Sequence, residues 1–147
     1  MGPRDLTHAP PRSPREQLGG LCMLPRMIDI ARAKLPGGNI GHYQIGRGMS
    51  GLVLAHLGID VDEFVACVKE AANEEEIISR LSGRRSPAEH RLLGARLRRI
   101  TVADVPDDLR PQFERFYGSD LPRDKTVFEV LEEDDARSFG PSQSSRV

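Results

Sequence analysis

This chain of 147 residues has no tryptophan and only two tyrosines and five phenylalanines. Its core must therefore rest on Leu, Ile, Val, Met and Ala. Cysteine is almost as scarce, with Cys22 and Cys67 alone. They form no C-x-x-C pair and are too few for a disulfide framework, so both read as small buried thiols at helical positions. No two of His8, His42, His56 and His90 stand four apart on one helix, and no metal site is expected. No apolar run approaches the ~20 residues that span a bilayer. The first 20 residues lack the apolar stretch of a secretion signal, which reads as a protein of the reducing cytoplasm. No G-x-S-x-G elbow is present, although Ser50 comes near one. Arg26 stands one helical turn from Cys22, which alone makes no nucleophile. Runs of β-branched residues with period two are missing, and so is any fixed-period repeat.

What is present is helix punctuation. Ser13-Pro14-Arg15-Glu16 predicts a capped start, cut short by Gly19-Gly20. Pro25 opens a helix whose stripe is Leu24, Met27, Ile28, Ala31 and Leu35, with Arg26, Asp29 and Arg32 on another face. Pro36-Gly37-Gly38 ends it. Met49, Leu52, Val53, His56 and Leu57 resume the helical period before Gly58, and His56 on that stripe reads as a hydrogen-bonded core histidine. Asp60 with Glu63, Asn73 before three glutamates, and Ser86 with Glu89 each predict a further start. Asp107 or Asp108 is expected to cap a helix placing Leu109, Phe113, Phe116 and Tyr117 on one face. Thr126 with Glu129 opens the last segment, where 127–131 reads as helix or strand. The reading is an all-α domain of six to eight short helices over 13–137, with an extended arm at 1–12 and a disordered tail at 138–147.

The blocks PPRSPREQLGGLCMLPRMIDIARAKL, residues 10–35, and LGIDVDEFV, residues 57–65, resemble a family of small bacterial proteins known only as a domain of unknown function. The glycine-spaced segment between them departs from the family pattern, and from Thr101 onward no block matches. The resemblance implies a bacterial, cytoplasmic, helical protein. It assigns no catalytic residue.

The net charge of -1 argues against a general nucleic-acid binder. The charges come in blocks: six basic and three acidic groups in 1–34, one Lys against seven acids in 60–76, six Arg against Glu89 in 84–99, and four basic against eleven acidic groups in 104–135. Opposite blocks can satisfy one another within a fold or between copies. With no catalytic constellation in sight, the leading expectation is a non-catalytic helical module that binds a protein partner or itself.

The rival expectation is a small-ligand or anion-binding protein, a class that includes a small enzyme. Arg12, Arg15, Arg26 and Arg32 flank two helix starts, where free backbone amides already favour an anion, and Asp29 lies among them. The site would form where this segment meets the glycine-rich loop at His42, Tyr43 and Arg47. Gly46-Arg-Gly-Met-Ser-Gly51 has dinucleotide-loop spacing, but no βαβ pattern surrounds it, so it reads as a plain loop. No cofactor is expected. The arginines of 84–99 lack interleaved aromatics and read as a solvated face rather than a nucleic-acid surface.

Overall fold

A computed structural model describes residues 1–140. Among them are a two-strand hairpin and seven α-helices: β1 (Gln17–Leu18), β2 (Leu21–Cys22), α1 (Leu24–Ala33), α2 (Gly48–Leu57), α3 (Val61–Glu70), α4 (Glu74–Leu81), α5 (Pro87–Arg99), α6 (Arg110–Tyr117) and α7 (Val127–Phe139).

The all-α expectation needs one correction. Ser13-Pro14-Arg15-Glu16 starts no helix. It makes a turn in which the Glu16 amide donates to the Ser13 carbonyl, and the chain then enters the hairpin. Gly19 and Gly20 have φ of 62° and 84°. Positive φ at both central residues is the geometry that lets a two-residue turn follow the strand twist, with Leu18 opposite Leu21 and Gln17 opposite Cys22. Cys22 is thus a strand residue and not a helical one. It is buried against α5, where Gly94 permits the approach: a Cβ there would meet Cys22 Sγ at 3.1 Å. Both cysteines are free thiols.

The other starts follow local rules. Asp60, Ser86 and Thr126 each close a capping box with the glutamate three residues on, which settles residues 127–131 as helix. Asn73 accepts from the Glu76 amide. The α6 start differs from expectation: its cap position is Leu109, with no side-chain cap, because the 106–109 turn carries the chain past both aspartates. Arg110 secures that end instead, donating to the carbonyls of Val102, Ala103 and Val105. Helix α7 includes residues 138 and 139, which had been assigned to the tail; 141–147 lie outside the described residues.

The main core joins β2, α1, α2, α3, α4, α5 and the first turn of α7 around Met27, Ile28, Val53, Phe64, Leu97 and Phe128. A smaller cluster seats the arm. Leu6, fully buried, packs with Ile30, Ala33 and Tyr43, while the backbone of residues 4–6 pairs with Asn39.

Helices α2 and α5 are joined by a histidine pair, His56 Nε2 to His90 Nδ1 at 2.9 Å. The two imidazoles share one hydrogen bond, and the fold disfavours a second proton. Burial holds both pKa values below the ordinary 6.5; for His56 the neighbouring His90 and Arg85 lower it further, while Glu89 opposes the shift in each. A base whose folded pKa is depressed contributes stability that is whole above the unfolded value and is lost as pH falls toward the folded one. The denaturation midpoint is therefore expected to drop between about pH 7 and pH 5. That slope should flatten in His90→Gln. An unchanged slope in the variant would remove the pair as its source.

Candidate functional site

Most of α1 is buried on every side, including its polar positions. Arg26 is 3% exposed and Asp29 is fully buried. Each is paired with a group far away in sequence. Arg26 Nη1 and Nη2 donate to Asp135 Oδ2 and Oδ1 at 2.8 and 3.2 Å, a bidentate clasp between α1 and α7. Tyr43 donates its hydroxyl to Asp135 Oδ1 at 2.8 Å, and the Arg26 guanidinium lies 5.5 Å from the Tyr43 ring centroid. Burial, then the Asp135 carboxylate, pushes the Tyr43 pKa far above its usual value, so the hydroxyl keeps its proton.

Beside this clasp opens a cavity of about 420 Å3. Ligand sites commonly measure about 300–1,000 Å3 and are mostly apolar with a few polar groups. Met23, Ile30, Met49, Leu52, Ile100 and Val105 form much of one side. Helix α6 supplies the other through Leu109, Phe113, Phe116 and Tyr117. Polar groups are Arg26 at the buried end, with His42, Arg47, Arg96, Gln112 and Asp134. His42 stacks on Tyr43 with centroids 4.3 Å apart, and its Nε2 stands 3.3 Å from Asp134 Oδ2. Burial, followed by Asp134, raises the Tyr117 pKa, so this hydroxyl also stays protonated.

The helix α6 wall is thin. It carries an apolar stripe, yet none of its residues is buried, and Phe116 is 41% exposed. The opposite wall holds the only non-glycine residue among those described with positive φ, Met23 at 73°. A left-handed conformation costs a residue with a Cβ roughly 1–3 kcal/mol, and such strain gathers at functional sites. Here it places Met23 as the cap of α1 with its side chain on the cavity.

Of the expected site residues, Arg26, His42, Tyr43 and Arg47 come together on this cavity. Arg12, Arg15, Asp29 and Arg32 do not line it. Arg12 and Arg4 bind Asp29, and Arg12 also binds Glu74. Arg15 pairs with Glu132, and Arg32 donates to the Gly2 carbonyl. These residues hold the arm and hairpin to α1, α4 and α7. The chain matches the domain of unknown function DUF5069 over residues 8–137.

The chain belongs to the DUF5069 family.

The match to DUF5069 runs well past Thr101, from which point no block of the sequence resembled the family by itself. Comparison with curated proteins finds no match. In this member the glycine segment does not form a dinucleotide loop: the element before it is helix α1 and not a strand, and Gly46 donates its amide to Ser50 Oγ, which donates in turn to the Arg47 carbonyl. Among the described residues no group of three or more His, Cys, Asp or Glu could hold a metal ion, and no helix is long and apolar enough to cross a membrane.

Half of the cavity was out of reach of sequence reasoning. The shared face of Leu109, Phe113, Phe116 and Tyr117 was visible as a stripe, without a sign that it covers a void. Asp134, Asp135 and Gln112 carried no motif at all, and Arg96 read only as one arginine of the solvated 84–99 face, whereas it lines the cavity.

Proposed function

We propose that this DUF5069 chain is a small-molecule-binding protein whose site is the cavity between α6 and the helical body. The observation that carries this reading is the apolar face of α6. Phe113, Phe116 and Tyr117, with Leu109 at the cap, line a cavity; Leu109 and Phe113 also touch the main core, yet no residue of the helix is buried. An apolar helix face normally buries itself against protein. A ligand with an apolar body would complete that burial, each apolar Å2 removed from water contributing roughly 25 cal/mol. The strained Met23 cap and the polar groups along the wall support the same reading.

The alternative, a module for protein contact or self-association, has less support. Its motive was the alternation of charge blocks, and the blocks meet inside the chain: Arg12 with Glu74, Arg15 with Glu132, Arg26 with Asp135. The pairing leaves less charge for a partner to answer.

Titration with the neutral dye N-phenyl-1-naphthylamine tests the proposal. Its fluorescence should rise on a saturable curve, and affinity should fall at least about tenfold, ~1.4 kcal/mol, in Leu52→Trp and Leu109→Trp, which fill the cavity from exposed or half-exposed positions. Absence of saturable binding, or equal binding by both variants, would overturn it.

A further inference from the structure

The cavity's charges are answered unequally, and the difference bears on what it would hold. Arg26 is neutralised by Asp135. Asp134 is engaged by His42 and lies 3.7 Å from Arg137. Asp104 keeps its negative charge, with Oδ2 turned to the amide and hydroxyl of Thr101. The two remaining cations differ. Arg47 donates Nη1 to Gln112 Oε1, a neutral group that leaves the guanidinium charge unanswered. Arg96 has no hydrogen bond or ion pair among the described residues, although Glu89 borders the same small recess. Both arginines line the main cavity, and both are exposed, so they stand at its solvent side, whereas Arg26 closes the buried side.

The arrangement is a largely apolar chamber whose lining carries two exposed guanidinium groups that no carboxylate pairs among the described residues. Burying apolar surface favours a hydrocarbon or aromatic body without fixing its orientation. A guanidinium fork adds orientation, because it matches the planar or tetrahedral oxygens of an anion two at a time. Gln112 helps here: it holds Arg47 in place without cancelling its charge, and its own Nε2 is steadied by Gln44 Oε1 at 3.3 Å.

Resting on the cavity reading above, we propose that the ligand is an amphiphilic organic anion, with its apolar body under α6 and its single anionic head, a carboxylate or phosphate ester, against Arg47 and Arg96.

The test displaces the neutral dye with three probes of equal chain length, below their critical micelle concentrations: decanoate, decanol and decyltrimethylammonium. Decanoate should compete at least about tenfold more strongly than decanol, and the ammonium should be weakest. The decanoate advantage should shrink at 0.5 M salt, since exposed charges are screened over about 3 Å at 1 M and 10 Å at 0.1 M. It should vanish in Arg47→Gln/Arg96→Gln, while decanol binding stays unchanged. Both side chains are exposed, so the double variant is expected to fold, with an unaltered melting temperature as the control. Decanoate at parity with decanol, or an ammonium that binds best, overturns the anion assignment and leaves the cavity reading standing. Failure of the dye and all three probes overturns both.

Discussion

Asp29→Ala is expected to lower stability by about 3–5 kcal/mol, the usual cost of breaking a buried charge pair from one side. Against a typical total of about 5–15 kcal/mol, such a loss leaves little margin. The reason lies in how many donors converge on one carboxylate. Asp29 is fully buried and accepts from Arg4 Nη1, from Arg12 Nε and Nη2, and from the Arg12 backbone amide. Alanine leaves three of them, Arg4 Nη1, Arg12 Nε and the Arg12 amide, without that acceptor, while Arg12 Nη2 retains Glu74. Arg12 keeps Glu74, and both arginine side chains are about a third exposed, so water recovers part of the loss. Asparagine does not rescue the site, because its amide group turns two hydrogens toward a cluster made only of donors. Chemical denaturation measures the loss. Amide exchange locates it: Leu6 and Asn39, whose backbones pair where the arm meets the body, should lose protection first. A cost under about 1 kcal/mol in Asp29→Ala would show that the cluster is not what seats the arm.

The helix starts were legible because each is a local matter of four residues. Asp60 with Glu63, Ser86 with Glu89 and Thr126 with Glu129 satisfy free amides on their own turn, wherever the helix later packs. Ser13-Pro14-Arg15-Glu16 has the same letters and fails. Gly19 follows Glu16 by three residues, too few to repay the cost of a helical nucleus, while the two glycines offer a hairpin turn at once. Competition from a neighbouring element decided that segment, and a four-residue motif does not register it. The cavity divides in the same way. Arg26, His42, Tyr43 and Arg47 fell within one stretch of chain and could be grouped from sequence. Asp135 lies 109 positions from Arg26, with no periodicity to connect them. On sequence grounds the arginines around α1 read either as an anion site or as partners of the blocks of opposite charge. Arg26 and Asp29 take the second course: both are buried in ion pairs, because α7 and the arm cover them with charges of opposite sign.

The clasp behind the cavity gives the second large effect. Arg26→Met alone is expected to cost about 3–5 kcal/mol, and Asp135→Leu a similar amount, since each leaves one charge buried without its partner. Removing both should cost far less than the sum, because the desolvation penalty of each ion disappears with it. Two groups would lose a partner in that double variant: the part-buried Arg12 carbonyl, which accepts from Arg26 Nη1, and the Tyr43 hydroxyl, whose acceptor is Asp135 Oδ1. Buried donors left unsatisfied cost about 1–3 kcal/mol, so the triple variant Arg26→Met/Asp135→Leu/Tyr43→Phe should be more stable than the double and lie within about 2 kcal/mol of the natural chain. Urea denaturation of the four variants measures this directly. Dye binding then separates structure from site. If the clasp serves only to join α1 to α7, the triple variant binds the neutral dye as well as the natural chain does, and decanoate keeps its advantage through Arg47 and Arg96. If decanoate loses its advantage while the neutral dye still binds, Arg26 is itself the anion's partner and the head lies at the buried end of the cavity. Additive losses in the double variant would refute the clasp as a coupled unit.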